Sequence, residues 1–427
     1  MVTQGAVALS EETKKALLKA SGGKTLEERR ARLQNLSTLY FGNGTTLKNQ
    51  SKISAVEVLT EGSAPEADIE PSIEKINARE GVSEYLFQAD INLSEEQLTW
   101  IEESIAKNDS ARTKRQVWLN AVVWTDNTVY YYFDGSIDTQ KRSIVNKALN
   151  YLRSRTCIKF VESQVAPNRI RVFNGAGCWS YVGMMGGVQD LSLGTGCSQV
   201  GIAAHEFTHA LGVYHMQMRD DRDNYVMVDL TNVPTNMQGN FGKLPTAESI
   251  NYNPYEYGSC MHYQSNAFAT SGDSMIPIEG DYLNTLGSRV ISFYDVKTIN
   301  DHYKCIDQCQ VAPAACTNGG IPNPNNCAAC VCPYGYGGAL CGDRPTGCGS
   351  TLTATALWQV RQFTFGSATS TTTLDMPLLC NHWIQAPAGK QVQVRVTYIK
   401  DPKCQKGCNL NSIEPKIKAD RMITNVR

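Results

Sequence analysis

His205-Glu206-Phe207-Thr208-His209-Ala210-Leu211-Gly212-Val213-Tyr214-His215 constrains this chain more than any other stretch, because three of its six histidines fall within those eleven residues. On an α-helix, residues i and i+4 share a face. His205 and His209 therefore point to one place, with Glu206 one residue round. Gly212 lets the chain leave the helix, since glycine takes the left-handed conformation of a helix C-terminus without strain. The turn swings His215 back as a third ligand. Three imidazoles and an open position describe a catalytic zinc site, because a structural site uses four protein ligands, usually with cysteine. No cysteine lies between Cys197 and Cys260. Bound zinc lowers the pKa of water from ~15.7 to ~7, and Glu206 is placed to take the proton as water attacks a carbonyl. The stretch implies metal-assisted hydrolysis. Its competing reading is an amphipathic helix that happens to carry two histidines.

Downstream stands Gly258-Ser259-Cys260-Met261-His262-Tyr263, a methionine turn ending in tyrosine. Together with the histidine stretch and Arg219-Asp220-Asp221-Arg222-Asp223-Asn224-Tyr225-Val226, it makes residues 116–305 resemble the astacin family of secreted metalloendopeptidases. The resemblance implies an α+β, two-lobed metzincin protease domain with a five-stranded mixed sheet and a zinc helix. It implies one Zn2+ per chain on His205, His209 and His215, with Met261 as a hydrophobic floor. Tyr263 would be a further zinc ligand that swings off to hydrogen-bond the tetrahedral intermediate. A phenol near a Lewis-acidic metal supplies either an oxygen ligand or a donor aimed at developing charge. A core aromatic is the alternative for Tyr263. The resemblance also makes residues 177–183 an edge strand that binds substrate backbone antiparallel, and pairs Cys157 with Cys305 and Cys178 with Cys197. Spacing alone leaves those pairings open. Read from the residues themselves, 129–133 and 170–173 are strands, and 139–155 is an amphipathic helix with Val145, Ala148, Leu149 and Leu152 on one face. His262, His302 and His382 lack ligand spacing and read as structural.

All fifteen cysteines lie after residue 156. An uncrosslinked leader is thus followed by a disulfide-stapled remainder, the mark of an oxidising compartment. Net charge is -1, which gives no reason to expect nucleic acid or an anionic membrane as partner. No run of eighteen apolar residues is present, so no membrane span is expected. The first ten residues lack the basic region and apolar core of a signal peptide. These features and the resemblance place the protein outside the cell, secreted.

Residues 1–115 read as a propeptide, helical over 10–36 and acid-rich over 57–74. Five N-x-[ST] sequons, at Asn35, Asn43, Asn49, Asn92 and Asn108, all precede residue 116 and make the leader a candidate glycoprotein segment. Phe87-Gln88-Ala89-Asp90 resembles the astacin propeptide motif Phe-x-Gly-Asp, whose aspartate ligates the zinc in place of water. A carboxylate is a competent zinc ligand. Ala89 replaces the family glycine, and a solvated loop carboxylate is the other reading of Asp90. Arg112-Thr113-Lys114-Arg115 matches a furin-like proprotein convertase site, or else an ordinary basic linker. Cleavage after Arg115 would start the mature enzyme at Gln116. Astacins usually carry glutamate after the third histidine, and this chain has Met216.

Beyond residue 305 the composition changes. Cys309, Cys316, Cys327, Cys330, Cys332 and Cys341 resemble an EGF-like module over 306–343, held by three disulfides because so short a segment buries little apolar surface. A zinc site is the competing reading. Residues 348–427, with Cys348, Trp358, Cys380, Trp383 and an alternating Val392-Gln393-Val394-Arg395-Val396, resemble a CUB domain, an all-β sandwich, shortened to a partial one. Cysteine arithmetic leaves Cys260 as a buried free thiol, and the pairing of Cys404 and Cys408 open. The sequence thus reads as a secreted, latent zinc endopeptidase with protein or peptide substrates, an activating convertase, and extracellular partners for its two trailing modules. Its module order resembles that of nematode members that act in cuticle remodelling. The alternative is an inactive adhesion or binding protein on the same scaffold.

Overall fold

The computed structural model describes residues 8–42, 71–106, 115–118, 122–244, 249–310, 313–366, 374–400 and 405–427. The leader forms four helices: α1 (Glu11–Leu18), α2 (Leu26–Phe41), α3 (Ile73–Arg79) and α4 (Glu95–Ala106). Ser10 caps α1 through the Thr13 N–H, and Thr25 with Glu28 closes a capping box at the start of α2, each satisfying backbone donors that a helix start leaves orphaned. Arg29, buried in α2, donates to the carbonyls of Tyr85 and Leu93 and so brackets the loop that carries Asp90. Leu33, Leu36, Phe87, Ile91, Leu93, Leu98 and Ile101 share one core with Val182, Tyr214 and Met218 of the protease. At roughly 1.5–3 kcal/mol per large buried apolar side chain, leader and protease stabilise each other.

The protease opens with β1 (Arg115–Trp118), β2 (Thr128–Phe133), α5 (Thr139–Arg153), β3 (Lys159–Glu162), β4 (Arg169–Phe173), β5 (Cys178–Trp179), β6 (Val188–Leu193) and α6 (Val200–Ala210). A five-stranded sheet runs β3-β2-β4-β6-β5, parallel except for β5, which pairs antiparallel with β6 at one edge. Alternation decides what β2 buries: Val129, Tyr131 and Phe133 face inward. They meet Val145, Ala148, Leu149 and Leu152 of α5, and Phe207 of α6. Every residue of α6 is buried, because the helix lies between the sheet and the second lobe.

The second lobe has β7 (Val226–Val228), β8 (Ser249–Ile250), β9 (Met275–Pro277) and α7 (Phe293–His302), with β7 paired to β9 and β8 to β1. Aromatic packing replaces regular structure here: Tyr225 stacks on Tyr255 at 4.7 Å and Tyr257 on Tyr282 at 4.5 Å between centroids. Cys157–Cys305 ties the end of α5 to the chain after α7, and Cys178–Cys197 ties β5 to the start of α6.

A hairpin of β10 (Ile321–Asn323) and β11 (Asn326–Val331) follows, with disulfides Cys309–Cys327, Cys316–Cys330 and Cys332–Cys341. Beyond it, β12 (Thr351–Thr353) pairs in parallel with β13 (Trp383–Gln385) beside Cys348–Cys380. The expected CUB sandwich is not what the described residues form. Leu357, Trp358, Val360, Phe363 and Tyr398 stand exposed, because no second sheet among the described residues faces them. A glycan on Asn92 is likewise excluded by this arrangement: its side chain is buried and points at the Leu17 carbonyl. Asn35 is exposed. Asn43, Asn49, Asn108, Arg112 to Lys114 and Cys404 lie outside the described residues, while Arg115 and Gln116 fall in β1. No helix among the described residues is long and apolar enough to cross a membrane.

Cys260 is a buried free thiol, and burial first, then Asp295, pushes its pKa well up. Native protein should therefore leave Cys260 unlabelled by a thiol reagent, read by peptide mass mapping, until denaturant is added. Cys260→Val, close in volume, should cost under ~1.5 kcal/mol in urea unfolding.

Candidate active site

Two bonds from outside hold the C-terminal turn of α6. Trp124 donates its indole N–H to the Ala210 carbonyl at 2.8 Å, and the Gly183 N–H reaches the His209 carbonyl at 3.0 Å. Gly212, at φ 99, then reverses the chain. Each imidazole has its Nδ1 on an oxygen: His205 on the Cys260 carbonyl at 2.7 Å, His209 on the Val213 carbonyl at 2.7 Å, His215 on Oε1 of Gln88 at 2.6 Å. Those oxygens only accept, so each Nδ1 carries the proton and each Nε2 is bare. The three Nε2 atoms converge, with 3.2 Å between those of His205 and His215 and 3.2 Å between those of His209 and His215. Oδ2 of Asp90 lies 3.2 Å from His205 Nε2 and 3.0 Å from His215 Nε2.

Four buried ligand atoms thus lie within 4.8 Å of one another, lone pair against lone pair, and Oδ1 of Asp90 has no hydrogen-bond partner. Burial, with the neighbouring imidazoles behind it, holds His209 well below the usual histidine range, so the ring is neutral as a ligand must be. Such a set is repulsive unless a cation sits among it. Three imidazole nitrogens and one carboxylate fit Zn2+.

Glu206 lies alongside, fully buried, and neither carboxylate oxygen has a hydrogen-bond partner. Burial first and Asp90 second push its pKa well up. Met261 is buried in the cluster that contains Ala203, Ala204 and Phe207 of α6. The Tyr263 ring lies 4.6 Å from that of His215, and its hydroxyl donates to the Gln88 carbonyl rather than joining the four ligand atoms. His262 bonds the Tyr255 hydroxyl and the Tyr263 carbonyl, and burial lowers it to about 4.

The leader also occupies the sheet edge. The Asn77 carboxamide accepts the Cys178 N–H at 2.7 Å and donates to the Cys178 carbonyl at 2.7 Å and to the Ala89 carbonyl at 2.6 Å. Ser180 donates to the Asp90 carbonyl and accepts from the Asn92 N–H. Gln97 donates to the Val182 carbonyl at 3.0 Å. Gly177 is small of necessity, since a Cβ there would strike Oδ1 of Asn77. Asn77, Gln88 and Gln97 escape sequence reasoning. Only Gln97 carries a signal, as the partner of Ser94 in a Ser-x-x-Gln capping box.

The model of the peptidase family described as Astacin matches residues 117–304. Zinc metalloproteinase nas-17 of Caenorhabditis elegans is 39% identical over 367 residues, which cover 86% of this chain and 82% of that protein. The chain belongs to the astacin family. Zinc metalloproteinase nas-32 of Caenorhabditis elegans is 49% identical over 357 residues, 83% of this chain, and the match spans 54% of that protein's length. High choriolytic enzyme 1, a hatching enzyme zinc-protease from Oryzias latipes, matches over 45% of this chain and 99% of its own, at 31% identity and a TM-score of 0.41.

Against the family's Phe-x-Gly-Asp pattern, the leader of this astacin places Gln88 at φ 48 and Ala89 at φ 63. An L-residue pays roughly 1–2 kcal/mol for that conformation. Ala89→Gly should therefore stabilise the leader-bound protein by ~1 kcal/mol, seen as a higher urea midpoint at unchanged slope. An unchanged or lower midpoint would refute the strain.

Proposed function

We propose that this chain is a secreted zinc endopeptidase of extracellular proteins, kept latent by residues 1–115. The observation that carries the reading is the unpartnered carboxylate of Glu206 beside three converged bare imidazole nitrogens. His205, His209 and His215 would hold the metal. When bound, zinc supplies a Lewis acid that activates water and polarises a carbonyl. Glu206 takes a proton on a carboxylate oxygen and returns it to the leaving amine. β5 and the residues after it, stripped of the leader, offer backbone groups at Cys178, Ser180 and Val182 to an extended peptide. Tyr263, freed from Gln88, has a hydroxyl to donate to the charge that develops on the attacked carbonyl oxygen.

Latency rests on Asp90 in the fourth position and on the leader amides along the sheet edge. Ile91 bridges Ser180 in the parallel sense, opposite to the antiparallel substrate expected there. Activation proceeds by convertase cleavage after Arg115. Met216 is buried and has no carboxylate for the new amine of Gln116, so release of the leader suffices. The three disulfides of residues 306–343 suit an EGF-like module for extracellular contacts. An adhesion protein on the same scaffold would leave the Glu206 carboxylate with no role to offset its burial.

Glu206→Ala should retain zinc by metal analysis and lose ~10²- to 10⁴-fold in turnover, whereas His209→Ala should lose both. Full activity in the Glu206 variant would sink the mechanism. Asp90→Ala in uncleaved protein should raise basal peptidase activity. A mature form extended by a few residues before Gln116 should stay largely active, and inactivity equal to the zymogen's would show that the terminus matters.

A further inference from the structure

Beside Asp90 and His205 a cavity is lined by Tyr263, Gln264, Ser288 and Arg289. Gly201 and Ile202 of α6 and Ser72, Ile73 and Glu74 of the leader line it too, and its other two walls belong to the stretches 256–264 and 285–289. Both are fastened to residues 405–427, which lie far past the protease in sequence.

On the first wall, the buried carboxylate of Glu256 accepts the Gly258 N–H at 2.9 Å and the Thr424 N–H at 3.0 Å. A Cβ on Gly258 would collide with the Thr424 side chain. Gln264 donates to the Lys406 carbonyl at 3.1 Å. This stretch also carries Tyr263 and the Cys260 carbonyl that orients His205. On the second wall, Oδ1 of Asn409 accepts the Arg289 N–H at 2.8 Å. Arg427 donates its guanidinium to Ser288 Oγ at 2.7 Å and its N–H to Thr285 Oγ1 at 3.1 Å. The segment also bonds to itself: Oδ1 of Asn425 takes the N–H groups of Ile417 and Lys418, both at 2.9 Å, and Glu414 takes Arg427. Tyr294 of α7 bonds Asp420 at 2.6 Å.

We infer that residues 405–427 position these two walls of the cavity, with Asn409 and Arg427 as positioning residues that set how a peptide side chain is seated beside the metal centre. This rests on the peptidase reading above. A wall residue released from its anchor shifts the seat of the substrate more than it shifts Glu206 or the histidines, so binding and selectivity change before turnover does.

The test uses leader-free protein that retains every residue to 427, and peptides that differ only in the residue entering the cavity. Asn409→Ala should raise KM by roughly 3- to 10-fold, the equivalent of one hydrogen bond, and alter the rank order of the peptides. kcat on the preferred peptide and zinc content should hold. Asn409→Asp, which keeps an acceptor for the Arg289 N–H but loses the Nδ2 donor to the Gly287 carbonyl at 3.3 Å, should restore KM and rank order in part. Asn409→Ala with Arg427→Gln should add to the change. Wild-type KM and rank order in the alanine variant would overturn the inference, as would a KM change that the aspartate variant fails to reverse even in part. Hydrogen exchange on the same proteins separates the two readings. Faster exchange across 285–289 in the alanine variant is expected, and unchanged protection there overturns the positioning even if wild-type protein proves to have no peptidase activity, a result that would sink only the reading of function.

Discussion

Three imidazole lone pairs aimed at one buried point repel one another, and the fold tolerates them only because each ring is fixed from behind and a cation belongs in front. The fixing groups come from three separate places. The Cys260 carbonyl belongs to the methionine turn, the Val213 carbonyl to the chain just after α6, and Oε1 of Gln88 to the leader. In the leader-bound protein the ring orientations therefore draw on the second lobe and on the leader as well as on the helix that carries two of the ligands, and only the Gln88 contact would go with the leader. This explains why a lobe so poor in regular structure is so densely packed: stacked tyrosines and the ion pairs of Arg219 with Asp221 and Arg222 with Asp223 hold loops to the precision that strands would give elsewhere.

Residues 77–97 occupy the cleft on three fronts with different physics. Asp90 offers charge to the metal position, Gln88 takes the Tyr263 hydroxyl and the His215 ring, and the side-chain amides of Asn77 and Gln97 pair with an edge strand as a peptide backbone would. A carboxamide carries the same donor and acceptor as a peptide unit but no scissile bond, so it satisfies the edge without presenting anything to cut. Departure is not obstructed by stranded charge. Asp190, whose side chain is buried, pairs with Lys19 of the leader at 2.8 Å and with Arg171 of β4 at 2.7 Å. Were the leader to leave, Arg171 would remain, so Asp190 would keep a partner and escape the situation that makes a broken buried pair costly.

How much of this was legible in the sequence depends on the range of each interaction. Spacings of four and six residues are local geometry, so His205, His209 and His215 read directly as one ligand set, as does the core face of α5. The disulfides of the protease became readable only through family resemblance. The groups that orient the rings stayed invisible, because the Cys260 carbonyl is 55 residues from His205 and no residue type marks a carbonyl as an acceptor. Asn77 was hidden for the same reason: its role comes from meeting Cys178, 101 residues away, within a helix too short to show a pattern. Ala89 departs from the family glycine, and the sequence could not say that the backbone still takes the left-handed turn and tolerates the methyl group.

The trailing segment shows what decides whether a stretch finds a place. Residues 392–396 carry the alternating apolar pattern of a sandwich strand, yet Val394 is 54% and Val396 50% exposed, because alternation buries side chains only against a second sheet. Residues 405–427 are the more polar stretch, and Thr424 and Asn425 are nonetheless buried to 3% and 1% exposure. Part of the difference lies in Glu256. Burial pushes its pKa up to about 8, against the hydrogen bonds from Thr424 and Gly258, and a carboxyl group in that position needs donors that the protease supplies only in part. The Thr424 N–H adds to the set, so a directional polar demand in the protease joins the apolar packing of Met422 and Val426 in fixing where this segment docks.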